Sequence, residues 1–95
     1  MRPNGTPARA LRFHPAPALD ARNGLLGWVT IELDSLAIED VQVRRGRDGR
    51  IYLAFPTRLG KHGDRRPLVR PLSNDARIEI EREVIDALRL QGRVA

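Results

Sequence analysis

The sequence predicts an α+β fold, a small antiparallel sheet of about four strands followed by a C-terminal amphipathic helix. Two observations predict it. From Leu25 to Phe55 apolar and polar residues alternate with a period of two, interrupted by the turn pairs Asp34-Ser35 and Asp48-Gly49. From Ser73 onward the apolar period changes to that of a helix. The chain has 95 residues, one domain's worth, so strands and helix must share one core. That core rests on Leu, Ile and Val, because aromatic residues make up only 4% of the chain.

The first nine residues hold two prolines and a glycine without any apolar period, and read as a flexible tail ahead of a single domain over residues 10–95. Ala10 to His14 alternates like a short strand, which Pro15 and Pro17 stop because proline lacks the N–H a ladder needs. Asp20 to Gly24, ending in Asn23-Gly24, reads as a loop or hairpin turn. Leu25 to Leu33 is the clearest strand, with Trp28, Thr30 and Glu32 on one face and Val29, Ile31 and Leu33 on the other. Leu36 to Arg44 repeats the period but slips midway, the mark of a bulge. Arg45 to Gly49 is a hairpin turn, and Arg50 to Phe55 returns as the next strand until Pro56. Thr57 to Arg66 is rich in glycine and charge and reads as an exposed loop, with Leu68-Val69 a candidate short strand. Ser73 or Asn74 is placed to cap the helix, Asp75 complements its dipole, and Gly92 is a natural stop. Ala76, Ile80, Val84, Ala87 and Leu88 form its apolar stripe, with Ile78 and Ile85 at the edge.

Cysteine is absent, which excludes disulfides and thiolate metal ligands and favours a reducing cytoplasm. No run is apolar enough to span a membrane, and Met1 to Pro7 has charge and proline where an export signal needs an apolar stretch. Net charge is +5, but its distribution says more than its size. Residues 25–43 carry four acids (Glu32, Asp34, Glu39, Asp40) and no base. Residues 44–70 carry nine bases against Asp48 and Asp64. Such a local excess steers an anionic partner.

Several of these segments form a collinear series. Gly24 to Asp34 ends in Ile31-Glu32-Leu33-Asp34; Ile38 to Val43 follows; then Gly49 to Pro56, with Ala54-Phe55-Pro56; then Pro71-Leu72 and Arg77. The series resembles the stage V sporulation protein G family, the septation regulators of bacteria, over about residues 24–91. Phe55 stands where the family commonly has methionine, and Pro56-Thr57-Arg58-Leu59-Gly60-Lys61 replaces its Pro-Ser-Lys-Arg loop. The resemblance implies a sheet with a C-terminal helix, a homodimer formed through the sheet, and binding to DNA and RNA. The stretch from Leu36 to Val43 is apolar enough to serve as the pairing edge.

The candidate phosphate contacts are Arg58, Lys61, Arg65, Arg66 and Arg70 in the glycine-rich loop and beyond it, and Arg44, Arg45, Arg47 and Arg50 around the hairpin tip. Guanidinium forks suit phosphate oxygens bidentately, whereas the bland reading is a solvated charged surface. Trp28, Tyr52, Phe13 and Phe55 are the only rings able to stack on bases. Tyr52 and Phe55 fall on opposite faces, which argues against their forming a paired platform and for phosphate-dominated binding. Arg77 falls within the helix's apolar stripe and reads as a structural arginine, snorkelling or paired with a carboxylate. Glu79, Glu81, Arg82, Glu83, Asp86 and Arg89 read as a solvated face, with Arg82 and Arg89 placed to add phosphate contacts.

His62 near Asp64 lacks a nucleophile beside it, and His14 is remote in sequence, so neither catalysis nor a metal site is expected. Gly60-Lys61 lacks the remaining glycine and hydroxyl of a phosphate-binding loop. No cofactor, small-molecule substrate or membrane is expected. The function read from the sequence is a nucleic-acid-binding regulator, with an acidic protein surface as the alternative partner.

Overall fold

The hairpin from Leu25 to Arg45 is the frame on which the other elements sit. It consists of β2 (Leu25–Leu33) and β3 (Leu36–Arg45), joined at Asp34-Ser35, where Asp34 takes a φ of 53°. A short acidic side chain tolerates that left-handed conformation better than a branched one. The computed structural model describes residues 9–95; residues 1–8, most of the expected tail, lie outside the described residues. Arg9 already belongs to β1 (Arg9–Pro15), opposite Glu32. With β4 (Ile51–Ala54), these strands form an antiparallel sheet in the order β1-β2-β3-β4.

The expected slip in the alternation of β3 is a bulge. Val29 faces Val41 and Ile31 faces Ile38, so Glu39 and Asp40 together oppose Thr30, and Asp40 takes a φ of 57°. The extra residue has a packing consequence. Ile38 and Val41 are an odd number apart and would point to opposite faces of a regular strand, yet both pack on the core side. A second irregularity beside Leu26 puts both Leu26 and Gly27 toward the core. Gly27 is required there, since a Cβ would lie 2.6 Å from the Phe13 ring and against the His14 carbonyl.

The core joins Val29, Ile31, Val41, Val43, Ile51 and Leu53 of the sheet to Val84, Ile85 and Leu88 of α2 (Asn74–Leu90). The Ser73 Oγ accepts the Ala76 N–H at 3.1 Å, as its capping role requires. Past the last turn Gly92 takes a φ of 70°. The buried stripe is rotated from the expected one: Ile85 is buried, Ile78 is exposed, and Glu81 lies inside the stripe.

Two segments differ from their sequence reading. Residues read as a loop or turn form a five-residue helix, α1 (Ala18–Arg22), which buries no side chain and leaves the Asn23-Gly24 turn to follow it. The glycine-rich loop is a second, two-stranded sheet, β5 (Thr57–Leu59) against β6 (Arg65–Pro67), and the strand ends where Leu68-Val69 had been expected to form one. The edge strand also needs correction. β3 lies inside the sheet; only Leu36–Val41 runs past β4, and no strand pairs with that stretch on the β4 side among the described residues.

Candidate nucleic-acid interface

Because α2 packs on one sheet face, strand alternation sends a different set of side chains to the other. Two rows cross it by register: His14, Trp28, Gln42 and Ala54 in one, and Leu25, Arg44 and Tyr52 in the next. Trp28 is half-buried and Tyr52 is 36% exposed. Arg44 is fixed between them: its guanidinium donates to the Gln42 Oε1 and to the Asn23 carbonyl, each at 3.0 Å. Phe55 packs partly against the core and also lines the depression beside Trp28.

The nine cations singled out in the sequence separate into distinct groups. Arg45 and Arg47 line an open cleft of about 410 Å³ together with Arg22, at the end of α1, and the Ala21, Asn23, Gly24 and Gly46 backbone. The Arg45 N–H donates to the Gly24 carbonyl at 2.7 Å, which fastens the two walls. None of these three guanidiniums has an ion pair among the described residues. Three like charges around one cleft repel, and an anion relieves that repulsion. Arg22 escaped the sequence reading because it is 23 residues before Arg45; only the α1–β2 turn brings it there.

The β5–β6 hairpin divides the second group. Arg58 lies opposite Arg66, and Leu59 opposite Arg65, so neighbours in sequence point to opposite faces. Arg58, Lys61 and Arg66 line a cleft of about 390 Å³ with His62 and Asp64, and Asp64 pairs with the Arg66 Nε at 3.3 Å. A directly opposed Arg58/Arg66 pair is destabilising in itself, and Asp64 offsets only part of the repulsion. Arg65 instead borders an open depression of about 780 Å³ whose lining includes Trp28, Asp40, Gln42, Phe55 and Leu68. The hairpin thus borders the exposed sheet face through Arg65, while the Arg58, Lys61 and Arg66 cleft opens on its other face.

Two expected contacts fall elsewhere. Arg50 faces α2 and lines a cleft with Arg82, Asp86 and Arg89, apart from Arg45 and Arg47. Arg70 is exposed in the connection to α2 and lines neither basic cleft.

The structural reading of Arg77 holds. Its Nη1 donates to the Glu81 Oε1 at 3.1 Å and its Nη2 to the Asn74 Oδ1 at 2.7 Å. Glu81 is only 6% exposed, and its Oε2 accepts the Leu53 N–H at 3.1 Å. That carboxylate therefore joins α2 to the edge strand β4, contrary to its reading as part of a solvated face. Its place in the i, i+3, i+4, i+7 series with Val84, Ile85 and Leu88 is the signal that could have found it.

A family model described as SpoVG matches residues 16–89. The chain belongs to the SpoVG family. The match spans α1, the sheet from β2 onward, the β5–β6 hairpin and nearly all of α2. No curated protein matches the chain. Membership makes it a regulatory protein, not an enzyme. Among the described residues no cluster of three or more His, Asp or Glu is placed to hold a metal ion. Nor is any helix long and apolar enough to cross a membrane.

Proposed function

We propose that this SpoVG protein regulates by binding nucleic acid, DNA or RNA, through phosphate contacts from its basic surfaces. The observation that carries the reading is that arginines gather at two places beside the sheet. Arg22, Arg45 and Arg47 form one cleft; at the β5–β6 hairpin Arg65 borders the sheet depression beside Trp28, while Arg58, Lys61 and Arg66 line a cleft on the hairpin's other face. A polyanion engages both at once, which no single small anion does. The reading extends to a cytoplasmic domain over residues 10–95 acting as a homodimer through its sheet. Leu36–Val41 supplies the unpaired backbone, Leu36 being 70% exposed, and the bulge at Asp40 confines a ladder to the residues before it.

The test is Arg65→Ala with Arg66→Ala, assayed by fluorescence anisotropy across a salt series. Each lost phosphate contact lowers the slope of log K against log salt by about 0.7 on single strands and about 0.9 on duplex. The double variant should therefore flatten it by roughly 0.7 to 0.9 if one of the two contacts phosphate and by roughly 1.4 to 1.8 if both do, weakening all sequences alike. An unchanged slope removes the hairpin from the interface. Stoichiometric binding of an acidic protein, without affinity for oligonucleotides, would replace the reading altogether.

A further inference from the structure

We infer that the nucleic acid is taken as a single strand laid across the sheet face opposite α2, its bases stacking on Trp28 and Tyr52. The inference rests on the nucleic-acid reading and adds the form of the ligand and the residues that select it.

The geometry begins with the register. Trp28 lies on β2 opposite Gln42, and Tyr52 on β4 opposite Arg44, with β3 between them. Two strand spacings across and two residues along β3 separate the two positions by ~12 Å. Stacked bases in a duplex strand rise only ~3.4 Å apiece, so the two rings do not match neighbouring bases of a helix. They match bases splayed out along an extended strand, the form in which base faces are free to stack on a side chain. A broad sheet face also does not enter a duplex groove, which admits one helix or a two-stranded ribbon.

Charge sets the path. At one end stand Arg22, Arg45 and Arg47. Arg44 follows between the two rings; it uses one donor each on Gln42 and Asn23, leaving three of its five N–H groups for a phosphate or a base edge. At the other end Arg65 borders the depression beside Trp28, and Asp40 lines the same depression. Glu32 and Glu39 occupy the rest of this face, with Glu39 bound by the Thr30 hydroxyl at 3.0 Å and 3.8 Å from the Arg12 guanidinium. Phosphates are repelled from that half, so the strand is steered from the Arg22 cleft past Tyr52 and Trp28 to the hairpin. An apolar protein segment would match the rings but leave this cationic boundary unused.

Trp28 is the chain's only tryptophan, so its fluorescence reports on this ring alone. The full chain is titrated with a single-stranded oligothymidylate and, separately, with a duplex, following anisotropy of a labelled strand and Trp28 emission together. The expected result is quenching that saturates with the anisotropy, tighter binding of the single strand, and affinity lowered about 5- to 100-fold by Trp28→Leu or Tyr52→Leu. Trp28→Phe keeps an aromatic face and should retain most of the affinity; circular dichroism of each variant checks the fold. Single-strand binding with Trp28 emission unchanged and Tyr52→Leu indistinguishable from wild type overturns the inference and leaves the phosphate-contact reading standing. Equal affinity for the duplex, with both aromatic variants unaffected, does the same. No binding to any oligonucleotide removes the phosphate-contact reading, and this inference with it.

Discussion

Glu81→Ala should be the most damaging single change on the surface-to-core boundary of α2. Its carboxylate is 6% exposed and accepts two hydrogen bonds of 3.1 Å, from the Leu53 N–H and from Arg77. A hydrogen bond to a charged group contributes about 1.5–3 kcal/mol, and truncation also leaves the buried Leu53 N–H without its acceptor. Arg77 adds less, because its side chain is 42% exposed and solvent screens the pair to under about 1 kcal/mol. The expected loss is therefore about 2–3 kcal/mol for Glu81→Ala and about 1 kcal/mol for Arg77→Ala. The double variant should cost little more than Glu81→Ala alone, since Arg77 then keeps only its bond to Asn74. At roughly 4–8 °C per kcal/mol in a domain of this size, Glu81→Ala lowers Tm by about 10–20 °C. Glu81→Gln keeps one acceptor for Leu53 and should lose about half as much. Thermal unfolding followed by circular dichroism reads all four proteins. A Tm for Glu81→Ala within about 2 °C of wild type, well below that expectation, would refute the bridge between α2 and β4.

Other perturbations test other links. Gly27→Ala forces a Cβ against the Phe13 ring and the His14 carbonyl, so it should cost about 1–3 kcal/mol in urea unfolding; a neutral change would mean the β1–β2 packing is looser than described. Ser73→Ala removes the side-chain acceptor for the Ala76 N–H and should cost about 1 kcal/mol, read by the same unfolding curve. Arg45→Ala with Arg47→Ala should lower the single-strand salt slope by about 1.4 without affecting Tm, whereas Arg50→Ala, facing α2, should leave the slope unchanged. Leu36→Lys should shift a sheet-mediated dimer toward monomer in sedimentation equilibrium, by placing two like charges on the pairing edge.

Much of the fold was legible because its signals are local. β2 spans Leu25–Leu33 as its alternation demands, the bulge in β3 shows as a slip of the period, and Ser73 caps α2 as an N-cap serine should. α1 was not legible: five residues with none buried leave no stripe to read, and Asn23-Gly24 looks the same after a short helix as inside a hairpin. Nor were β5 and β6, three residues each and exposed throughout, where no buried face imposes an alternation. The site depended still more on topology. Nine cations were visible in residues 44–70, but not that Arg22 joins Arg45 and Arg47, that Arg50 turns toward α2, or that Arg65 and Arg66 face opposite ways. Trp28 and Tyr52 share a face only because β3 lies between their strands, a fact of strand order and not of spacing.

The most direct test of the account is anisotropy of labelled single-stranded DNA, duplex DNA and RNA with the wild-type chain, each at several salt concentrations. The account predicts binding that weakens steeply as salt rises, with log K linear in log salt and the single-stranded ligands bound more tightly than the duplex. Absence of binding to all three at low salt would contradict it.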